Sequence, residues 1–331
     1  MARAERDTRI VVISIGGTIG LVGASRMDLS SYHETGKRQP VSELVASLPE
    51  LGAFAEVETL DFRALSSTAL TPSDWLDLLD VLQNLLARVD GVVVTHGTNT
   101  LEETAFFLDL SLATDSPVVV VGAMRPVNAV SSDGPLNLLR AVQVASSPEA
   151  KGHGVLVVMN ERVFLARDVL KASSQGLDAF RSPDSGPIGW VDAAGGLAID
   201  RRRIGTRVHF DLASIRELPR VDLVMTHVGA DGLLIDAAVA GGARGLVSAG
   251  AGAGRPTPLE EEALKRAVES GVVVCLSSRV GSGAVLPTPN SRSAQFVAAR
   301  RLVPWKARVL LSLALTQTDE PERIQALFDG I

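Results

Sequence analysis

Cysteine, aromatic residues and long apolar runs are all scarce in this sequence, and each scarcity narrows what the chain can be. There is one cysteine, Cys275, so no disulfide can close within the chain. It sits in Val272-Val273-Val274-Cys275-Leu276, which reads as a buried strand, so its thiol is expected in a core and not as a nucleophile. Apolar runs such as residues 118–121 are too short to cross a bilayer and are bounded by turn formers, Pro117 and Gly122, so no membrane partner is expected. A basic excess is missing too. Lys and Arg number 32 against 38 Asp and Glu, for a net charge of −6, and the basic residues are scattered, which argues against a nucleic acid partner. The opening Met1-Ala2-Arg3-Ala4-Glu5-Arg6-Asp7 is charged, without the apolar core and cleavage site of a signal peptide, and the expected location is cytoplasmic.

What the 331 residues do have is apolar material, 46% against 21% charged, enough for two moderate cores. Compact β-branched runs recur at residues 10–13, 91–94, 118–121, 155–158, 221–225, 245–247 and 272–276. Continuous runs of this kind suit parallel strands covered on both faces. Helices are legible between them. In Thr71-Pro72-Ser73-Asp74-Trp75, Thr71 suits an N-cap, Pro72 the first helical position and Asp74 the first-turn dipole, after which Leu78, Leu79, Leu82, Leu85 and Leu86 keep helical spacing. Pro258-Leu259-Glu260 opens another helix of this kind. The expected class is therefore α/β with a mainly parallel sheet. The alternation breaks at residues 180–217, through Pro183, Gly186, Pro187, Gly195, Gly196 and Arg201-Arg202-Arg203. A large α/β domain over residues 1–200, a linker over 201–217 and a smaller α/β domain over 218–331 are expected.

In parallel α/β sheets ligands bind beyond the carboxyl ends of the strands, so the polar residues after each strand are read first. After the first strand stands Ser14-Ile15-Gly16-Gly17-Thr18-Ile19-Gly20, whose glycines let backbone N–H groups approach a bound group beside the Thr18 hydroxyl. Alone, this segment fits a tight turn with a capping threonine or a phosphate-binding loop equally well, although no Lys-Ser/Thr pair follows it as a P-loop requires. After the run at 91–94 stands Thr95-His96-Gly97-Thr98-Asn99-Thr100-Leu101-Glu102-Glu103-Thr104. This reads as a strand-to-helix turn with Thr98 and Asn99 facing the site and Thr100 forming a capping box with Glu103. His96 has no second histidine at ligand spacing, so it reads as a hydrogen-bonded structural residue and no metal is expected.

Together, Gly16-Gly17-Thr18-Ile19 and Thr95-His96-Gly97-Thr98 resemble the paired signatures of the bacterial-type L-asparaginase family. The resemblance continues in the family's order through Val121-Gly122-Ala123-Met124-Arg125-Pro126, Ser132-Asp133-Gly134-Pro135-Leu136-Asn137-Leu138, Arg167-Asp168-Val169-Leu170-Lys171, Ser277-Ser278-Arg279-Val280-Gly281-Ser282-Gly283 and Lys306-Ala307-Arg308-Val309-Leu310-Leu311, nearly the whole chain. It implies a two-domain fold and an amidohydrolase acting on a small-molecule amide with no cofactor. It makes Thr18 the acyl-forming nucleophile, with Tyr32, the sole tyrosine, as its partner on a lid over residues 21–39. It pairs Thr98 with Lys171, a lysine that can act as a base only if burial or a nearby cation lowers its pKa. Gly17, Gly97, Ser67 and Thr68 become substrate-binding residues, Ser67 holding the substrate carboxylate, and backbone N–H groups beside Ala123 become oxyanion donors. The family also implies a homodimer or homotetramer with sites at the subunit interface.

Four positions depart from the family pattern: Asn99 stands where it has aspartate, Thr68 where many members have glutamine, Ala253 where some have asparagine, and Asn290-Ser291-Arg292-Ser293 where some place a glutamate. All four remove polar or anionic groups that would face a substrate ammonium, and an uncompensated buried cation costs roughly several kcal/mol. The expectation is threonine chemistry with a preference shifted away from free L-asparagine. The alternatives are an ordinary L-asparaginase of reduced rate and a silent binding homologue, and retention of Thr18, Tyr32, Thr98 and Lys171 argues against the latter.

Overall fold

The computed structural model describes residues 8–201 and 208–331, which divide into two compact units, Met1–Ile204 and Gly205–Ile331. The linker expected at 201–217 lies partly outside the described residues.

Among the described residues of the first unit, the chain forms strands β1 (Arg9–Gly16), β2 (Glu56–Leu65), β3 (Gly91–Thr95), β4 (Val118–Val121), β5 (Val155–Met159), β6 (Arg162–Leu165), β7 (Leu170–Lys171), β8 (Phe180–Arg181), β9 (Gly189–Val191) and β10 (Leu197–Ile199). Its helices are α1 (Val41–Ala46), α2 (Pro72–Leu86), α3 (Leu101–Ser111) and α4 (Gly134–Ser146). An eight-stranded sheet runs in the order β10-β9-β6-β5-β4-β3-β1-β2. The half from β5 to β2 is parallel, and the half from β5 through β6 and β9 to β10 is antiparallel. Every residue of β3, β4 and β5 is buried, as continuous β-branched runs require when a sheet is covered on both faces. Strand β2 has no such run. Its residues are exposed or half-buried because it is the edge strand beside β1, so no apolar signal marks it.

Helix α2 opens with a complete capping box between Thr71 and Asp74, with Pro72 at its start. Its Trp75 ring stacks on Phe107 of α3 with centroids 5.0 Å apart, tying the two helices together. Helix α3 is buried along nearly its whole length, and each large apolar side chain it removes from water contributes roughly 1.5–3 kcal/mol. Its expected cap does not form. The Thr100 side chain makes no cap bond and donates instead to the Ser67 carbonyl at 2.8 Å, because the turn after β2 lies beside it.

The second unit carries the parallel strands β11 (Val221–Met225), β12 (Gly245–Gly250), β13 (Val273–Ser278) and β14 (Val297–Ala298), in that order. Helices α5 (Leu233–Ala240), α6 (Pro258–Glu269), α7 (Pro289–Ser293), α8 (Pro304–Ala314) and α9 (Pro321–Asp329) complete it. Its core gathers Val224, Ile235, Leu246, Leu264, Val274 and Phe296. Cys275 is fully buried in β13, and burial pushes its thiol pKa up, which leaves it inert as a nucleophile. No helix of the described residues is long and apolar enough to cross a membrane.

Candidate active site

Strands β2, β1, β3 and β4 are parallel neighbours, so the turns that follow them all emerge at one edge of the sheet. The turn after β1 is a short 3₁₀ segment, Thr18–Gly20, the turn after β2 is another, Ser67–Ala69, and the turn after β3 carries Gly97, Thr98 and Asn99. These turns touch. A Cβ on Gly97 would lie 2.7 Å from Ser67 Oγ, and the same construction on Gly17 runs into the backbone of His96 and Gly97. Gly17 also has φ of 94°, a conformation costly for any residue with a side chain.

Thr18 and Thr98 open into one cavity of about 690 Å³, within the range of small-ligand sites. Thr18, Tyr32, Thr98 and Lys171 line it, and so do Gly17, Ser67, Thr68, Gly97 and Asn99. The hydroxyls of Thr18 and Tyr32 are 3.3 Å apart. Lys171 Nζ lies 2.8 Å from Thr98 Oγ1 and donates to Asn99 Oδ1 at 3.0 Å. Its backbone is anchored in turn, with the Lys171 N–H donating to the Glu102 carboxylate in the first turn of α3. Burial lowers the Lys171 pKa from the ordinary lysine value, opposed by the nearby charge of Glu102, so the neutral amine is easier to reach than on a solvated lysine. The family resemblance singled this lysine out; without it, the residue reads as a solvated surface lysine. Strand β7 turns it inward.

Ala123 departs from its expected role. It is fully buried and does not line the cavity, and the Met124 and Arg125 N–H groups that follow it donate to the Asp133 carboxylate at 2.9–3.1 Å. Those two amides close the loop after β4 and are already engaged, so they are not open donors for an oxyanion.

His96 is structural, as its lack of a partner histidine implied. It is fully buried, and burial lowers its pKa to about 4, so the ring is neutral at physiological pH. Nδ1 lies 2.7 Å from the Gly97 carbonyl, which can only accept, so Nδ1 carries the proton. Nε2 then accepts from Thr104 Oγ1 at 2.8 Å, and Thr104 accepts from Trp75 Nε1 at 2.9 Å. This chain of bonds fixes the peptide that carries Thr98.

The loop over residues 21–39 is fastened at its base, where Val22 N–H donates to the Lys37 carbonyl at 3.0 Å and Gln39 N–H to the Gly20 carbonyl at 2.8 Å. Farther out, the Asn128 side chain accepts from Gly23 N–H at 2.7 Å and donates to the Gly23 carbonyl at 2.9 Å. Tyr32 rides on this loop in a 3₁₀ segment, Tyr32–Thr35.

Two cavity residues that sequence reading did not single out are Arg38 and Arg125. Both lie in loops, where no periodicity reports which way a side chain faces. With Lys171 they give the lining three Lys or Arg residues, beside His33, and no Asp or Glu. Among the described residues, no cluster of His, Cys, Asp and Glu could hold a metal ion.

Residues 9–204 match the asparaginase N-terminal domain, and residues 220–328 match the glutaminase/asparaginase C-terminal domain. L-asparaginase 2 of Bacillus subtilis is 40% identical over 324 residues, covering 97% of this chain and 86% of that protein. Glutaminase-asparaginase of Pseudomonas fluorescens is 36% identical over 327 residues, covering 96% and 89%. The crystal structure of a probable cytoplasmic L-asparaginase from Campylobacter jejuni superposes with a TM-score of 0.94 at 36% identity, covering 98% of this chain and all of that one.

Proposed function

This chain belongs to the asparaginase family of amidohydrolases, and on that premise we propose that it hydrolyses a side-chain carboxamide through an ester on Thr18. The Thr18 oxygen attacks the amide carbon and forms the ester, the C–N bond breaks, and ammonia leaves with the proton released from the hydroxyl. Water then cleaves the ester, yielding the acid and restoring Thr18. Tyr32, within 3.3 Å, is the partner of the attacking hydroxyl, and Thr98 with the Lys171 amine moves protons on the other side of the substrate. Ser67 holds the carboxylate. The observation that carries this reading is that both pairs, the hydroxyls of Thr18 and Tyr32 and the hydroxyl of Thr98 with the Lys171 amine, open into the same cavity. The Ala123 segment is left out of the oxyanion role, since its neighbouring amides are bound to Asp133.

The preferred substrate is an amide whose α-nitrogen is absent, acylated or otherwise uncharged. Asn99, where an aspartate would neutralise an ammonium, offers Lys171 only a carbonyl oxygen, and no carboxylate lines the cavity. A cation brought there loses water without gaining a counter-charge. Ammonia release from L-asparagine, N-acetyl-L-asparagine and succinamate, by wild type and by Thr18→Ala, tests both parts. Turnover that survives Thr18→Ala overturns the mechanism, and efficient hydrolysis of L-asparagine with rejection of the other two overturns the preference.

The same proposal includes a homodimer or homotetramer in the cytoplasm. Family membership supports the assembly, as do Met225, Val228, Leu233 and Leu234, all exposed on the second unit. Light scattering of the purified protein and fractionation of the source cells check the two statements.

A further inference from the structure

Of the three Lys and Arg side chains in the cavity lining, Arg38 is the one with its charge least engaged. Lys171 Nζ is taken up by Thr98 and Asn99, and Arg125 Nη1 donates to the Ser131 carbonyl at 2.9 Å. Arg38 is exposed, and its one hydrogen bond among the described residues is a long one, Nη1 to the Leu65 carbonyl at 3.5 Å. A guanidinium has five N–H donors in a fixed fork, so most of this one is open.

Its place is defined by the strands. Gly16 of β1 pairs with Leu65 of β2, and a Cβ on Gly16 would come within 2.9 Å of Arg38 Nη1. The fork therefore lies over the glycine two residues before Thr18, against the carbonyl that leads into Ser66 and Ser67. That is the end of the site where the substrate's α-carbon sits if Thr18 meets the amide and Ser67 the carboxylate. Arg38 also borders a second cavity of about 400 Å³, shared with Gly16, Gly17, Phe62 and the charged Asp61 and Arg63, so there is space beyond it for a longer molecule.

We infer that the substrate carries a second carboxylate, on an acyl arm attached through its α-nitrogen, and that the Arg38 guanidinium binds it. This inference rests on the reading that the α-nitrogen is uncharged. Ser67 takes one of the two polar substituents of the α-carbon, and the nitrogen is the other. Acylation removes its charge and supplies a stem toward Arg38. A carboxylate at the end of that stem matches the fork in a two-bond pairing, whereas a methyl end leaves it unmet. Arg38 acts in this scheme as a specificity residue and touches none of the reacting atoms.

Ammonia release from N-acetyl-L-asparagine and N-succinyl-L-asparagine tests the inference, because both share the amide, the α-carboxylate and the acyl link and differ in the terminal carboxylate arm. Wild type is expected to favour the succinyl compound in kcat/KM by roughly ten- to hundredfold, the range of a charge-assisted pair, with the difference in KM. Arg38→Gln is expected to bring the ratio of the two close to one, and Arg38→Lys to retain part of it. Equal use of the two compounds by wild type overturns the inference, as does a ratio unchanged by Arg38→Gln. An equal loss on both compounds in Arg38→Gln also overturns it, since Arg38 would then hold the carboxylate they share. If L-asparagine is hydrolysed and neither acyl compound is, the uncharged-nitrogen reading fails and this inference falls with it. If both acyl compounds are hydrolysed without preference, only this inference falls.

Discussion

A Cβ built on Gly17 would lie 2.4 Å from the Gly97 amide nitrogen, so the turns after β1 and β3 are in contact through two residues that have no side chain. This contact sets the separation between the backbones that carry Thr18 and Thr98. Gly17→Ala adds both the clash and the strain of an alanine at φ of 94°, so at least one turn has to move. The expected result is a loss of about 1–3 kcal/mol in stability and a fall in kcat of about a hundredfold or more. Denaturant titration and steady-state kinetics on the same sample measure the two effects. A variant with unchanged kcat removes the contact from the mechanism.

Under the proposed mechanism, the pH dependence of the rate follows from Lys171. Burial lowers its pKa, so the neutral amine needed as a base gains population as pH rises through a value below the ordinary lysine figure of about 10.4. The kcat/KM profile is expected to rise on its alkaline side with that group, and Lys171→Met to remove both the limb and most of the activity. The sign for stability is opposite to that of a stabilising ion pair. Because the fold disfavours the ammonium, the charge weakens the folded state below the unfolded pKa and has no effect above it.

His96 supplies an acid-sensitive element. Its folded pKa of about 4 lies below the usual 6.5, so the stability gained from a neutral ring is present above pH 6.5 and is lost as pH falls through 4. The interval corresponds to roughly 3 kcal/mol. Urea unfolding across this range is expected to show that loss in wild type and not in His96→Gln. The variant is also expected to be less active, because the Gly97 carbonyl loses its donor.

Asn99→Asp puts a negative charge where Lys171 now meets an amide oxygen at 3.0 Å, and on the proposed reading that charge faces the substrate's α-nitrogen. A gain of about tenfold or more in kcat/KM for L-asparagine is expected, with a loss for N-acetyl-L-asparagine. Unchanged selectivity would show that position 99 does not set the preference.

Asn128→Ala removes two hydrogen bonds that hold Gly23, and with it the outer part of the loop that carries Tyr32. Faster amide exchange over residues 21–39 and a fall in kcat of about tenfold are expected, with the global unfolding midpoint little changed. Exchange rates equal to wild type would remove Asn128 from control of the loop.

The buried parallel strands and the capped helices were readable because burial on both faces and helical spacing write themselves into consecutive residues. Val118–Val121 and Pro72–Leu86 are examples. Strand β2 was not, since an edge strand with exposed side chains has no such requirement. Thr100 misled for a related reason: a threonine three residues before a glutamate has the pattern of a capping box, and nothing local announces that the Ser67 carbonyl will compete for its hydroxyl.

The chain order of residues determined which chemical groups were present, an amide and not a carboxylate at Asn99 among them, and the family they belong to, since each of these is a matter of composition at a position. Only the tertiary structure decided which groups meet. Parallel pairing of β1 with β2 and β3 brought turns separated by tens of residues to one edge, and a two-residue strand turned Lys171 toward Thr98. The Met124 and Arg125 amides went to Asp133, and Arg38 was left with an open fork, because side-chain direction in a loop depends on contacts distant in the chain that no local periodicity encodes.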